Sequence, residues 1–179
     1  MDSTLASARR GVSVGMSREL TVTAGLLAVA CVLGLLEAAL PGIPFAPWLR
    51  LGFANIAVVV ALAVSGGRMA LAVSLGRVVI VGVAAGTLGS PVFVIGGAGA
   101  LASLAVMWTL SRVGDAFSPV GWSAAGAAAH MLAQFLAASA VLGSWGILTL
   151  APVSMLLALP LGALTGALAR TIVSRLRIC

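Results

Sequence analysis

The sequence predicts an all-α integral membrane protein with six transmembrane helices and both termini in the cytoplasm. Three observations carry that prediction. Of 179 residues, 61% are hydrophobic and 8% charged, with no tyrosine, which leaves too little polar side chain to coat a soluble globule. The apolar residues fall into runs separated by short turns, and the length suits about six helices of roughly 20 residues. The basic residues, all arginine, sit with one exception at the ends of those runs, where they act as topology signals. The net charge of +6 therefore marks membrane orientation, and no dense basic patch for nucleic acid forms.

Residues 1–19 read as a polar cytoplasmic leader with Arg9, Arg10 and Arg18, residues 20–170 as the transmembrane domain, and residues 171–179 as a basic cytoplasmic tail. Leu20 to Leu40 is long for a signal peptide and lacks a small-x-small cleavage site, so it is expected to stay as helix one. It carries two small-residue stripes, Ala24–Ala28 and Ala30–Gly34–Ala38, of the kind that lets helix backbones approach closely. Pro41 to Arg50 holds three prolines, a glycine and a tryptophan and reads as a loop at interface depth. Helix two, Leu51 to Ser65, is short, and Ser65-Gly66-Gly67-Arg68 turns the chain into helix three, Met69 to Ala85. Gly86 to Pro91 ends that helix. Helix four, Val92 to Leu110, opens with Gly96, Gly97 and Gly99, so its first half is open to a neighbour. A polar loop with Arg112 and Asp115 precedes helix five, Val120 to Leu142, on which His130 and Gln134 stand four apart on one face. Helix six, Ile147 to Arg170, carries Ala158-x-x-x-Gly162-x-x-x-Gly166 and Pro160.

With six crossings, one side holds eight arginines (Arg9, Arg10, Arg18, Arg68, Arg112, Arg170, Arg175, Arg177) and the other only Arg50. The richer side is the cytoplasmic one, in a multi-pass protein of a bacterial inner membrane surrounded by lipid. The exception is Arg77, in the middle of MALAVSLGRVVIVGVAA (Met69 to Ala85). An arginine at mid-bilayer costs about 2.5–3.5 kcal/mol on insertion scales, so a carboxylate, a water-filled cavity or an anionic ligand must offset it. At 1.5 Å per residue Arg77 lies roughly 13 Å above Arg68, and His130 roughly 16 Å above Pro119. Asn55 lies about 8 Å below Arg50, and Glu37 within a turn of the outer end of helix one, about 12 Å from the level of Arg77. These rare polar groups share the outer half of the membrane, where a pocket open to the outside needs them. Interhelical hydrogen bonding accounts equally for the His130 and Gln134 pair, capping of helix two for Asn55, and a structural ion pair for Arg77.

Other chemistry is missing from the sequence. There is no P-loop, no metal-ligand spacing around the one histidine, and no nucleophile with a base and an orienting carboxylate. Cys31 and Cys179 have no metal or disulfide spacing. No enzyme activity, metal or other cofactor is expected.

The stretches LRLGFANIAVVVAL (Leu49 to Leu62), GRVVIVGVAAGTLGSP (Gly76 to Pro91), GGAGALASLAVM (Gly96 to Met107) and GWSAAGAAAHMLAQ (Gly121 to Gln134) resemble the membrane family catalogued as heptaprenyl diphosphate synthase component I, also called Gx transporters. The likeness runs from about Leu20 to Leu142, with L-G-x-A-N, R-x-x-x-G and A-x-x-H-x-x-x-Q in the family's order. The family's usual lysine before L-G-x-A-N is Arg50 here, and its usual His-Asn pair is His130-Met131. The family is grouped with the substrate-binding S components of energy-coupling factor transporters. The resemblance thus implies an S-component-like bundle that captures a small, anionic or polar, vitamin-like molecule from the outer face. Arg77, His130, Gln134, Asn55, Glu37 and Arg50 become the candidate ligand contacts. Ala24 and Ala28 become docking residues for a transmembrane coupling subunit, itself joined to ATPase subunits that supply the energy. The enzymatic name implies a different role, a membrane subunit of a polyprenyl diphosphate synthase. Such synthases hold Mg²⁺ and diphosphate with clustered aspartates. This chain has only Asp2 and Asp115, so in that role it is non-catalytic.

Overall fold

A computed structural model describes residues 2–39, 52–113 and 117–176, residues 2–16 by their backbone alone. The described residues form six α-helices and one 3-10 helix: α1 (Asp2–Ala39), α2 (Phe53–Ser65), α3 (Gly67–Ala84), α4 (Pro91–Arg112), α5 (Pro119–Leu142), the 3-10 helix Trp145–Leu150, and α6 (Ala151–Leu176). Among the described residues five spans are long and apolar enough to cross a membrane: Ser17–Ala39, Gly67–Ala84, Pro91–Arg112, Pro119–Leu142 and Trp145–Leu176. Helix α2 is not among them. Its 13 residues rise about 20 Å against a hydrocarbon core of about 30 Å. Ala54 and Ala57–Leu62 are nevertheless buried, because α2 packs against α1, α3 and α6 and forms the centre of the main core.

The helix starts follow local chemistry. Ser90 and Ser118 each accept a hydrogen bond from the backbone N–H three residues on, at Phe93 (3.3 Å) and Gly121 (3.4 Å), and a proline follows each cap at the first helical position. Gly66, at φ 82°, makes the turn between α2 and α3 in a conformation that side chains resist. Two predicted ends lie elsewhere. Helix α1 continues back through the leader to Asp2, and α6 runs on past Arg170 to Leu176. Polar residues mark where a membrane ends, but alanine, serine and arginine sustain a helix in water as well, so hydropathy placed both boundaries too far in.

The helices meet through small residues. Gly162 and Gly166 of α6 lie directly on α5: a Cβ at Gly162 would come within 2.8 Å of the Ser123 carbonyl oxygen, and one at Gly166 within 2.7 Å of Val120 Cα. Across the same seam the buried hydroxyls of Ser123 and Thr165 are 3.0 Å apart, and Thr165 donates to the Gly162 carbonyl at 3.0 Å. Such close approach with paired hydroxyls replaces the hydrophobic drive that is absent between helices in lipid. The Ala158–Gly162–Gly166 stripe is thus spent inside the molecule. On α1 the two stripes part. Ala30 and Gly34 are buried, whereas Ala24 and Ala28 face outward.

One end of the bundle is rich in arginine. Arg112 stacks over the Trp108 ring at 4.8 Å, and that ring covers Gly67, next to Arg68. Gly166 abuts the start of α5, so Arg170 and Arg175 leave at the same end. Leu27 lies on Gly76, which sets Arg18 beside the start of α3. All five of these arginines are exposed.

Candidate functional site

Between the helices lies a cavity of about 820 Å³ that reaches the bundle end opposite the arginines. Glu37, Asn55, Arg77, His130 and Gln134 all line it. Five side chains from α1, α2, α3 and α5, chosen on depth and polarity, therefore share one wall system. Arg50 lies outside the described residues, and Ala24 and Ala28 are on the outer face of α1, away from the cavity.

Arg77, His130 and Gln134 are each seated against a neighbour without a side chain. On α3, the Arg77 stem passes Gly34 of α1; a Cβ there would be 3.9 Å from Arg77 Cγ and 3.2 Å from Val81 Cγ2. Glu37 follows Gly34 by three residues, about 4.5 Å of helix rise. The 12 Å gap expected between the levels of Glu37 and Arg77 is therefore too large. Gly34 lies beside both Arg77 and Val81, about five residues short of the end of each helix, so Glu37 stands less than 12 Å along the axis from Arg77. On α5, His130 and Gln134 lie over Gly99 of α4, where a Cβ would be 2.9 Å from both imidazole Cε1 and Nε2 and 2.8 Å from Gln134 Cγ. The glycine lets the ring and the amide reach the cavity at all.

The reading of Asn55 as a cap also changes. Gly52 precedes α2 and no side chain of its own closes the helix. Glu37 does so instead, its carboxylate accepting the N–H of Phe53. A carboxylate at this position satisfies one of the orphan N–H groups and meets the positive end of the helix dipole. Asn55 is left to point inward, its amide 3.9 Å from Met107 Sδ in a weak contact.

Sequence reasoning passed over several lining residues. Ser103, 2% exposed, stands one turn beyond Gly99 on the same face of α4 and borders the cavity near Gly126. Phe93 packs on Gly82 where α3 and α4 diverge, and Ile147 and Leu150 close the wall from the 3-10 helix. The spacing of Gly99 and Ser103 was a readable signal. The 3-10 helix was not, since its residues merge with the apolar run of α6.

Apart from Glu37, each polar side chain can donate a hydrogen bond: the Arg77 guanidinium, the Asn55 and Gln134 amides, the His130 imidazole and the hydroxyls of Thr87, Ser103 and Thr165. Glu37 is the acidic side chain among the described cavity residues, and its carboxylate serves the end of α2. Around them the wall is apolar, which is the usual make-up of a small-molecule site: a volume of roughly 300–1,000 Å³ with a few convergent polar groups. Among the described residues no group of three or more His, Cys, Asp or Glu is placed to hold a metal.

A family model for heptaprenyl diphosphate synthase component I matches residues 26–172, from the first span nearly to the end of the last helix. The chain belongs to this family. No curated protein and no solved structure matches the chain. The match covers every described residue named above as lining the cavity.

Proposed function

We propose that this family member is a non-catalytic, membrane-embedded binding subunit of an uptake system, taking a small anionic or polar-headed molecule into the cavity from outside the cell. Arg77 is its electrostatic anchor, and His130, Gln134 and Asn55 orient the ligand. One observation carries the reading: the one arginine placed inside an apolar span borders a cavity large enough for a ligand, together with the other rare polar side chains. Orientation is supported by the exposed arginines at the opposite end, which by the positive-inside rule face the cytoplasm and put the cavity mouth outside. The outward-facing Ala24 and Ala28 support docking of a transmembrane coupling subunit on α1, with ATPase subunits supplying energy.

The family's name favours a second reading, a membrane component that assembles with another component of a heptaprenyl diphosphate synthase. In that role too the chain is not the catalyst. Native mass spectrometry of the protein, extracted mildly from its own host, separates the two. The transport reading predicts a retained small molecule that is lost in Arg77→Gln and a coupling subunit that is lost in Ala28→Leu. Protein without a small molecule but bound to a prenyl synthase subunit would establish the second reading and overturn the first.

A further inference from the structure

The cavity is not evenly polar. Its donors lie deep. Ser103 and Met107 share a face of α4, Gly126 of α5 lies against both, and Asn55 reaches Met107. His130 lies over Gly99 one turn away, and Arg77 passes Gly34, which also borders Ala54 beside Asn55. These contacts form a continuous floor of Arg77, Asn55, Ser103 and His130. The mouth is built differently. Ala85, Val92, Phe93, Leu142, Ile147 and Leu150 line it where the helices end opposite the five exposed arginines. Thr87 and Glu37 are the polar side chains at that level, the Thr87 hydroxyl turned to the Gly82 carbonyl at 3.4 Å and the Glu37 carboxylate accepting the Phe53 N–H. The rim continues this character onto the surface: Leu88 is 55%, Val92 58%, Leu142 63% and Trp145 64% exposed.

A hydrophilic solute would have to give up its water along that largely apolar entrance, where the two polar side chains already have backbone partners. An amphiphile loses nothing there, since its apolar body stays against apolar walls while its head reaches the donors. From this polarity gradient we infer that the cavity takes an amphiphile head first: an anionic group, carboxylate or phosphate, on the donor floor and an alkyl, isoprenoid or aromatic body in the mouth. The volume of about 820 Å³ suits a ligand of a few tens of heavy atoms, being equivalent to on the order of 25 waters at about 30 Å³ each. The apolar rim also sets the route, from the outer membrane interface sideways into the mouth. The inference rests on the binding-subunit reading and narrows its ligand class.

The test is photolabelling of the full chain in lipid nanodiscs with decyl phosphate carrying a diazirine at the end of its chain. Labelling is expected at Phe93, Leu142 and Ile147. Unlabelled decyl phosphate or decanoate should compete at least tenfold better than inorganic phosphate, and decyltrimethylammonium should not compete. Arg77→Gln should reduce mouth labelling at least tenfold. Because Arg77 lies in the core of the bundle, Ile147→Asp provides a second variant at the mouth, expected to give the same loss while leaving the floor intact. Competition by decyl phosphate and by decanoate tells a phosphate-headed from a carboxylate-headed ligand, and either supports the inference. Equal competition by inorganic phosphate would overturn it while leaving an anion-binding subunit in place. Labels confined to lipid-facing residues such as Leu156, indifferent to every competitor and both variants, would overturn it together with the binding reading.

Discussion

Gly99→Ala isolates the geometry of the candidate site from the stability of the bundle. The new methyl would lie 2.9 Å from two atoms of the His130 ring and 2.8 Å from Gln134 Cγ. Carbon atoms in contact settle about 3.5–4.0 Å apart, so ring and amide must withdraw by roughly 0.6–1.2 Å. They can do so, because both border open cavity rather than packed core. Folding is little affected: the modest strain is offset by the gain of about 0.8–1 kcal/mol for alanine over glycine inside a helix. Binding suffers instead. If the shift breaks one hydrogen bond from His130 or Gln134 to a charged group, the loss is about 1.5–3 kcal/mol, or roughly 10- to 150-fold in affinity. Gly96→Ala is the internal control, since it faces the same cavity with nothing within 4 Å of its added methyl. Occupancy of the small molecule retained by each purified variant, with thermal unfolding alongside, supplies the assay. Equal occupancy in Gly99→Ala and Gly96→Ala would refute the assignment of His130 and Gln134 to the ligand.

Two further substitutions are expected to act on the fold. Gly162→Ala pushes a methyl to 2.6–2.9 Å from Ala127 Cβ, the Ser123 carbonyl oxygen and Ala124 Cα, two of them backbone atoms that cannot rotate away. Overpacking of this kind costs about 1–3 kcal/mol, so thermal or denaturant unfolding should come measurably earlier than in Gly99→Ala. Glu37→Ala removes the carboxylate that accepts the Phe53 N–H. That should cost about 1–2 kcal/mol and speed hydrogen exchange at the first turn of α2 more than elsewhere, with Glu37→Gln recovering part of it.

Hydropathy was a good guide to the helices and a poor one to their roles. It located six apolar segments and placed the starts of α4 and α5 within one residue of those observed, because those depend on neighbours in sequence. It could not tell that α2, the shortest, is the one enclosed by the others, since a buried helix and a lipid-facing helix are equally apolar. The residues of the site were legible for a related reason. In a chain this apolar, Arg77, His130, Gln134, Asn55 and Glu37 are rare enough to stand out, and the burial of any one has to be compensated. Their supports were not legible. Gly34 and Gly99 look like the other glycines of α1 and α4, and only the packing of α3 and α5 against them gives them their part. The same holds for the small-residue stripes. Gly162 and Gly166 are used up by α5 and Gly34 by α3, whereas Ala24 and Ala28 are exposed among the described residues, a distinction set by helix pairing and not by spacing.

The account depends most directly on the cavity mouth facing away from the cytoplasm. In a chain carrying Cys31→Ala and Cys179→Ala, single cysteines at Thr87, beside the mouth, and at Arg112, beside Trp108, can be treated in intact cells with a membrane-impermeant maleimide. The account predicts labelling of Thr87→Cys from outside and of Arg112→Cys only after the membrane is opened. The reverse pattern would contradict it, turning the cavity toward the cytoplasm and ending the case for capture from outside.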